Sequence, residues 1–145
     1  MRVLFVCLGN ICRSPAAEGA LRAARPDWEV DSAGLGDWHV GEPPHPPVIA
    51  AAAERGLDLS AQRARQVVPE DFASFDRIFA MDRYVLRRLQ DMEGGAVAEL
   101  FCAAAGLGEQ DVPDPYYTGD PTTCLNIIED GIARLVAGMP DRSNP

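Results

Sequence analysis

A chain of 145 residues, 47% hydrophobic and 24% charged, has the balance of a soluble globular protein and reads as one domain over 1–145. That length buries about two-thirds of the unfolded surface without staples. A formal net charge of −9 and a pI near 4.6 argue against non-specific binding to nucleic acid or anionic membranes.

All 13 basic residues are arginine, read here as a base-composition effect of the source genome. Four cysteines without regular spacing form neither a disulfide framework nor a zinc-ligand pair. The apolar run after Arg2 is too short for a signal peptide, and no stretch approaches transmembrane length. A reducing cytoplasm is the expected compartment.

Val3-Leu4-Phe5-Val6 is an unbroken apolar run, as in a strand buried on both faces. Cys7 to Ser14 forms a tight loop. An alanine-rich helix follows, with Ser14 expected as N-cap and Pro15 at the first helical position, and Pro26 ends it. Residues 28–33 read as a second strand. A long Gly/Pro-rich loop runs from Leu35 to Pro47, and loops of that length in compact domains are often functional.

Val48 to Arg55 is predicted helical and stopped by Gly56. Asp76 to Met81 is a third strand, Arg83 to Asp91 a helix, and Val97 to Phe101 a short fourth strand. After a loop through Pro113 and Pro121, Thr122 to Ala137 closes the chain as an amphipathic helix, with loose final residues. Alternating strands and helices predict an α/β three-layer sandwich with a central four-stranded parallel sheet flanked by helices on both faces. Ligands of such sheets bind beyond the carboxyl ends of strands, where Cys7, the loop after Ala33 and Asp82 converge.

The strand–loop–helix unit around Cys7 makes an anion cradle. A helix start offers unpaired N–H groups and the positive end of its dipole, and a loop curled over it adds donors. Gly9 and Asn10 tolerate the positive φ such a curl needs. Arg13 adds a bidentate, always-charged fork. Cys7 at the strand's end points its sulfur into that positive ring, a setting that favours thiolate over thiol. Ser14 is placed to donate its hydroxyl to the sulfur. An oxygen leaving phosphorus also needs a proton, and Asp114, extended before Pro115 in a flexible loop, is the candidate general acid.

The run Val6-Cys7-Leu8-Gly9-Asn10-Ile11-Cys12-Arg13-Ser14-Pro15 resembles the signature loop of the low-molecular-weight protein tyrosine phosphatases. The likeness extends to Asp31-Ser32-Ala33-Gly34, Trp38, Ala64-Arg65-Gln66, Phe75-Asp76, Met81-Asp82 and Asp114-Pro115-Tyr116-Tyr117. The resemblance implies a phosphotyrosine hydrolase working through a cysteinyl-phosphate. Cys7 is then the nucleophile, Arg13 and the loop amides from Leu8 to Ser14 bind phosphate, and Asp114 is the acid. Trp38, Tyr116 and Tyr117 are implied as aromatic walls, with Leu8 and Ile11 as floor. Asn10, Ser14 and Ser32 match a hydrogen-bonded brace.

Implied partners are a phosphotyrosine protein or a small aryl phosphate, with inorganic phosphate or sulfate as alternative occupants of the loop. No cofactor, metal, nucleic acid or membrane is called for, and a monomer or weak dimer is expected. Two departures stand out. Gln62 replaces the histidine that the family pairs with the carboxylate at Glu18, and His45 stands where an aspartate is common. His39 and His45 are expected to be solvated loop residues, and Asp82 a helix N-cap or a group orienting Arg13 or the Asp114 loop. Cys12, five residues after Cys7, is placed to condense with an oxidised Cys7.

Three rivals remain. An arsenate reductase is disfavoured because 81–90 lacks a relay cysteine, and a silent phosphoprotein-binding module because Cys7 and Asp114 are both present. A phosphoarginine phosphatase is disfavoured because Ile11 replaces the threonine of those relatives.

Overall fold

The computed structural model describes residues 1–139. The parallel sheet has the order β2-β1-β3-β4, built from β1 (Arg2–Cys7), β2 (Glu29–Gly34), β3 (Arg77–Ala80) and β4 (Glu99–Leu100). β1 is central because it is apolar on both faces. Val3, Phe5 and Cys7 face one side, where they meet the helices α1 (Arg13–Ala24), α2 (Pro46–Ala53), α5 (Phe101–Ala104) and α7 (Pro121–Gly138). Leu4 and Val6 face the other side, against Phe72 of α3 (Asp71–Ser74) and Val85 and Leu89 of α4 (Arg83–Gln90). The sheet is thus sandwiched between two helical layers, as expected.

Phe5 stacks on Phe79 with ring centroids 5.7 Å apart and meets Phe101 edge-on at 6.0 Å. These three fully buried rings fill the space between sheet and α7. Parallel register then aligns the carboxyl ends, pairing Cys7 with Gly34 and Val6 with Ala80. Loops leaving those positions share one edge of the molecule.

The differences from expectation have local causes. Only Glu99 and Leu100 pair as β4, because a 3₁₀ turn occupies Gly95–Val97 and Phe101 already starts α5. α2 begins at Pro46, since a proline at the first position lacks only an N–H that would be unpaired anyway. α3 and α6 (Pro115–Thr118) have four residues each, too few for a periodic signal. The looseness expected at the end of the chain falls mainly on 140–145, outside the described residues. No helix among the described residues is long and apolar enough to cross a membrane.

Gly131 lets α7 approach the sheet layer, because a Cβ there would lie 2.4 Å from the Phe101 ring. Alanine improves helix propensity by about 1 kcal/mol, but overpacking a tight core costs about 1–3 kcal/mol. Gly131→Ala is therefore expected to lower unfolding free energy by about 1 kcal/mol in urea titration. A gain in stability would show that the Phe101 ring yields freely.

Candidate active site

Cys7 ends β1 and Arg13 begins α1, so 8–12 must turn the chain within one short loop. Asn10 accomplishes this with φ of 58°, the lone positive φ outside glycine among the described residues. Gly9 does not take the positive φ expected of it; its lack of a side chain instead admits the His39 ring. The Asn10 N–H points at Cys7 Sγ at 3.3 Å, and Ser14 Oγ lies 3.0 Å from the same sulfur. Ser14 is thus inside the helix, not its N-cap. Cys12 takes the cap position without a side-chain bond, which leaves the amides of the first turn available to an anion.

A buried brace holds the loop. Asn10 Nδ2 donates to Ser14 Oγ at 2.8 Å and to Ser32 Oγ at 2.9 Å. Ser32 Oγ donates to Glu18 Oε1 at 2.7 Å, and Asn10 Oδ1 accepts the Arg65 N–H at 3.0 Å. The Arg65 guanidinium is fixed in turn by Asp71 and Asp31, all at 3.1 Å. The left-handed Asn10 is therefore over-determined by four other residues, Cys7, Ser14, Ser32 and Arg65.

Arg13 is 3% exposed. Its Nη1 donates to Asp82 Oδ2 at 2.6 Å and to the Val112 carbonyl at 3.1 Å, while Nη2 lies 3.4 Å from Asp114 Oδ2. Burial works to lower its pKa, but the Cys7 sulfur, then Asp82 and Asp114, outweigh that and raise it. Arg13 therefore stays charged. Its Nε is buried without a partner among the described residues, an unmade bond that an oxyanion would satisfy. Asp82 combines two of the expected roles, since its other oxygen caps α4 at the Val85 N–H, 2.7 Å away.

A cavity of about 300 Å³ opens above Cys7. Leu8, Gly9, Ile11 and Cys12 line its base, Trp38, Tyr116 and Tyr117 its sides, and Asp114 its edge. Asn10, Arg13 and Ser14 lie beneath, buried as supports. All twelve residues singled out from the sequence therefore gather at one site. Asp114 Oδ1 caps α6 at the Tyr116 N–H, 3.1 Å away, which sets the carboxyl over the cavity. Cys12 remains a thiol, because burial and then Asp114 push its pKa up.

The profile of the family "Low molecular weight phosphotyrosine protein phosphatase" matches residues 2–143. The chain belongs to the low-molecular-weight protein-tyrosine-phosphatase family. It is 40% identical to the low-molecular-weight protein-tyrosine-phosphatase YfkJ of Bacillus subtilis over 94% of both chains. The YfkJ crystal structure superposes with a TM-score of 0.89, 37% identity and coverage of 95% of this chain and 93% of that one. The Sus scrofa enzyme is 41% identical over 81% of both chains. A Drosophila arginine phosphatase also matches in structure, with a TM-score of 0.89, 32% identity and coverage of 98% and 99%.

Two family departures resolve differently from expectation. Gln62 does not reach Glu18; its Nε2 donates to the Pro15 carbonyl at 3.1 Å. Glu18 is held instead by Ser32 and by Arg22 at 2.8 Å. His39 and His45 are only partly solvated. Both are half-buried and face Tyr116, with ring centroids at 6.2 and 5.4 Å, and His39 lines the cavity. Adjacency to Trp38 in a Gly/Pro-rich loop was the one sequence signal for His39.

Glu18 gives a pH prediction. Burial raises its pKa above the ordinary 4.5, despite the Ser32 bond and Arg22. The folded state then holds a proton that the unfolded state has released, so stability falls as pH rises from about 4.5 through the folded value. Glu18→Gln removes that term. Its unfolding free energy should gain on wild type across that rise, and parallel pH profiles in chemical denaturation would refute the assignment.

Proposed function

We propose that this protein hydrolyses phosphotyrosine and related aryl phosphate monoesters through a cysteinyl-phosphate on Cys7, with 1–145 acting as one phosphatase domain. The observation that carries the reading is the convergence on Cys7 Sγ of a serine hydroxyl at 3.0 Å and a loop amide at 3.3 Å, beside a buried arginine. That convergence favours a sulfur anion and a bound oxyanion together. The Cys7 thiolate attacks phosphorus while Arg13 and the loop amides hold the non-bridging oxygens. The bond from phosphorus to the leaving oxygen breaks, and Asp114 gives that oxygen its proton.

Water then attacks the cysteinyl-phosphate. Asp114, now a carboxylate, takes the water proton, and the sulfur departs as thiolate with the Ser14 hydroxyl stabilising it. The products are an alcohol or phenol and inorganic phosphate. Aromatic walls from Trp38, Tyr116 and Tyr117 suit a flat phenyl group. The apolar Ile11 at the cavity base favours an aryl ester over the guanidinium of phosphoarginine, the substrate class named for the Drosophila relative. Four free thiols suit a reducing cytoplasm.

Turnover of p-nitrophenyl phosphate by wild type, Cys7→Ser and Asp114→Ala tests the assignment. Cys7→Ser is expected to abolish it. Asp114→Ala should lose roughly 10²–10⁴-fold on phenyl phosphate and less on p-nitrophenyl phosphate, whose leaving group is a weak base. Full activity of Cys7→Ser would end the proposal. Phosphoarginine assayed alongside should be the poorer substrate; a preference for it would overturn the aryl assignment.

A further inference from the structure

Neither histidine of this chain belongs to the chemistry just described, yet each spans the gap between the phosphate loop and the Asp114 segment. His39 lies so close to Gly9 that a Cβ there would meet its Cδ2 at 3.0 Å. Its Nδ1 faces both Glu42 carboxylate oxygens at 3.3 Å, which fixes the ring edge-on in the loop. His45 donates its backbone N–H to the Ile11 carbonyl at 2.7 Å. Its ring lies 5.4 Å from that of Tyr116. From the opposite end, Tyr116 donates its N–H to Asp114 Oδ1 at 3.1 Å.

One chain of contacts therefore runs from Gly9 and Ile11 through two imidazoles to Tyr116, and from Tyr116 to Asp114. Tyr116 is about half exposed, and the helix it belongs to has four residues. Such a short helix has little cooperativity of its own. Its placement must come from side-chain contacts, and the two imidazoles and Tyr117 are the rings that touch Tyr116. Tyr117 belongs to the same short helix and cannot anchor it to the rest of the protein.

We propose that His39 and His45 are positioning residues that grip Tyr116 between their rings and so hold the Asp114 carboxyl in register with Cys7. The inference rests on the reading of Asp114 as general acid. Loss of register weakens both proton transfers assigned to Asp114, and only the first of them, which kcat/KM reports, depends on the leaving group. A misplacement of about 1 Å in a catalytic group costs up to about 10²-fold. A grip on Tyr116 therefore predicts a defect graded by leaving-group basicity, which a purely structural role would not produce.

The test is kcat/KM for phenyl phosphate and p-nitrophenyl phosphate in wild type, His45→Ala, His45→Phe, the double variant His39→Ala/His45→Ala, and Asp114→Ala. His45→Ala is expected to lose about tenfold on phenyl phosphate and less than threefold on p-nitrophenyl phosphate. The double variant should lose more on phenyl phosphate. His45→Phe keeps a ring on Tyr116 and should recover most of the loss. Equal losses on both substrates, no loss, or failure of His45→Phe to recover with unchanged thermal midpoint would overturn the grip. A graded loss in Asp114→Ala with none in the histidine variants refutes this inference alone. An ungraded loss in Asp114→Ala refutes the acid assignment itself and removes the inference with it.

Discussion

A positive charge buried under the mouth of a cavity sets the terms for everything around it. Removing a guanidinium from water without compensation costs several kcal/mol, and breaking one partner of a buried pair typically costs about 3–5 kcal/mol. The chain meets that demand with Asp82, after β3, and with the Val112 carbonyl and Asp114, both in the loop before α6. Arg13 thereby ties the end of β3 and the loop before α6 to the start of α1. The same contacts that keep it charged also hold the segment carrying Asp114. Stability and the site's electrostatics are one arrangement of charges.

A parallel sheet makes this economical. Because β1 pairs with β2 and β3 in matched register, the loops after Cys7, Gly34 and Ala80 emerge side by side. Each then supplies what the others lack. The first brings sulfur and amides, the second leads into the loop of Trp38 and His39, and the third brings Asp82. The strained Asn10 is tolerated because its side chain bonds residues from three places in the chain: Ser14, Ser32 and the Arg65 amide. Strain of about 1–3 kcal/mol at such a residue persists only where surroundings over-determine it.

Much of this was legible in the residues. The apolar run before Cys7 and the proline after Ser14 announced strand, turn and helix, and the Cys–Arg spacing announced an anion site. What was not legible depended on distance in space. Ser14 looks like an N-cap locally, but Cys7 and Asn10 compete for its hydroxyl and win. Gln62 looks like a partner for Glu18 by position, yet the Pro15 carbonyl takes its amide. His39 and His45 look solvated in a Gly/Pro-rich loop, because nothing in the sequence reveals that Tyr116 folds over them. Four-residue helices carry no period to read, so α6, which aims Asp114, was invisible.

The protein's net charge opposes an anionic ligand only at long range. A net charge of −9 is screened beyond about 10 Å at 0.1 M salt, so the decisive balance is the one inside the cavity. There Arg13 faces Asp82, Asp114 and, under the proposed roles, a thiolate: one positive charge against three negative. The dianion of the proposed substrate is offset there by the donors the carboxylates leave free: the open amides of the first turn of α1 and the unpartnered Arg13 Nε. The 3.4 Å separation between Asp114 and Arg13, long beside the 2.6 Å contact with Asp82, makes Asp82 the closer counter-ion of Arg13 and leaves Asp114 the looser of the two carboxyls, at the edge of the cavity.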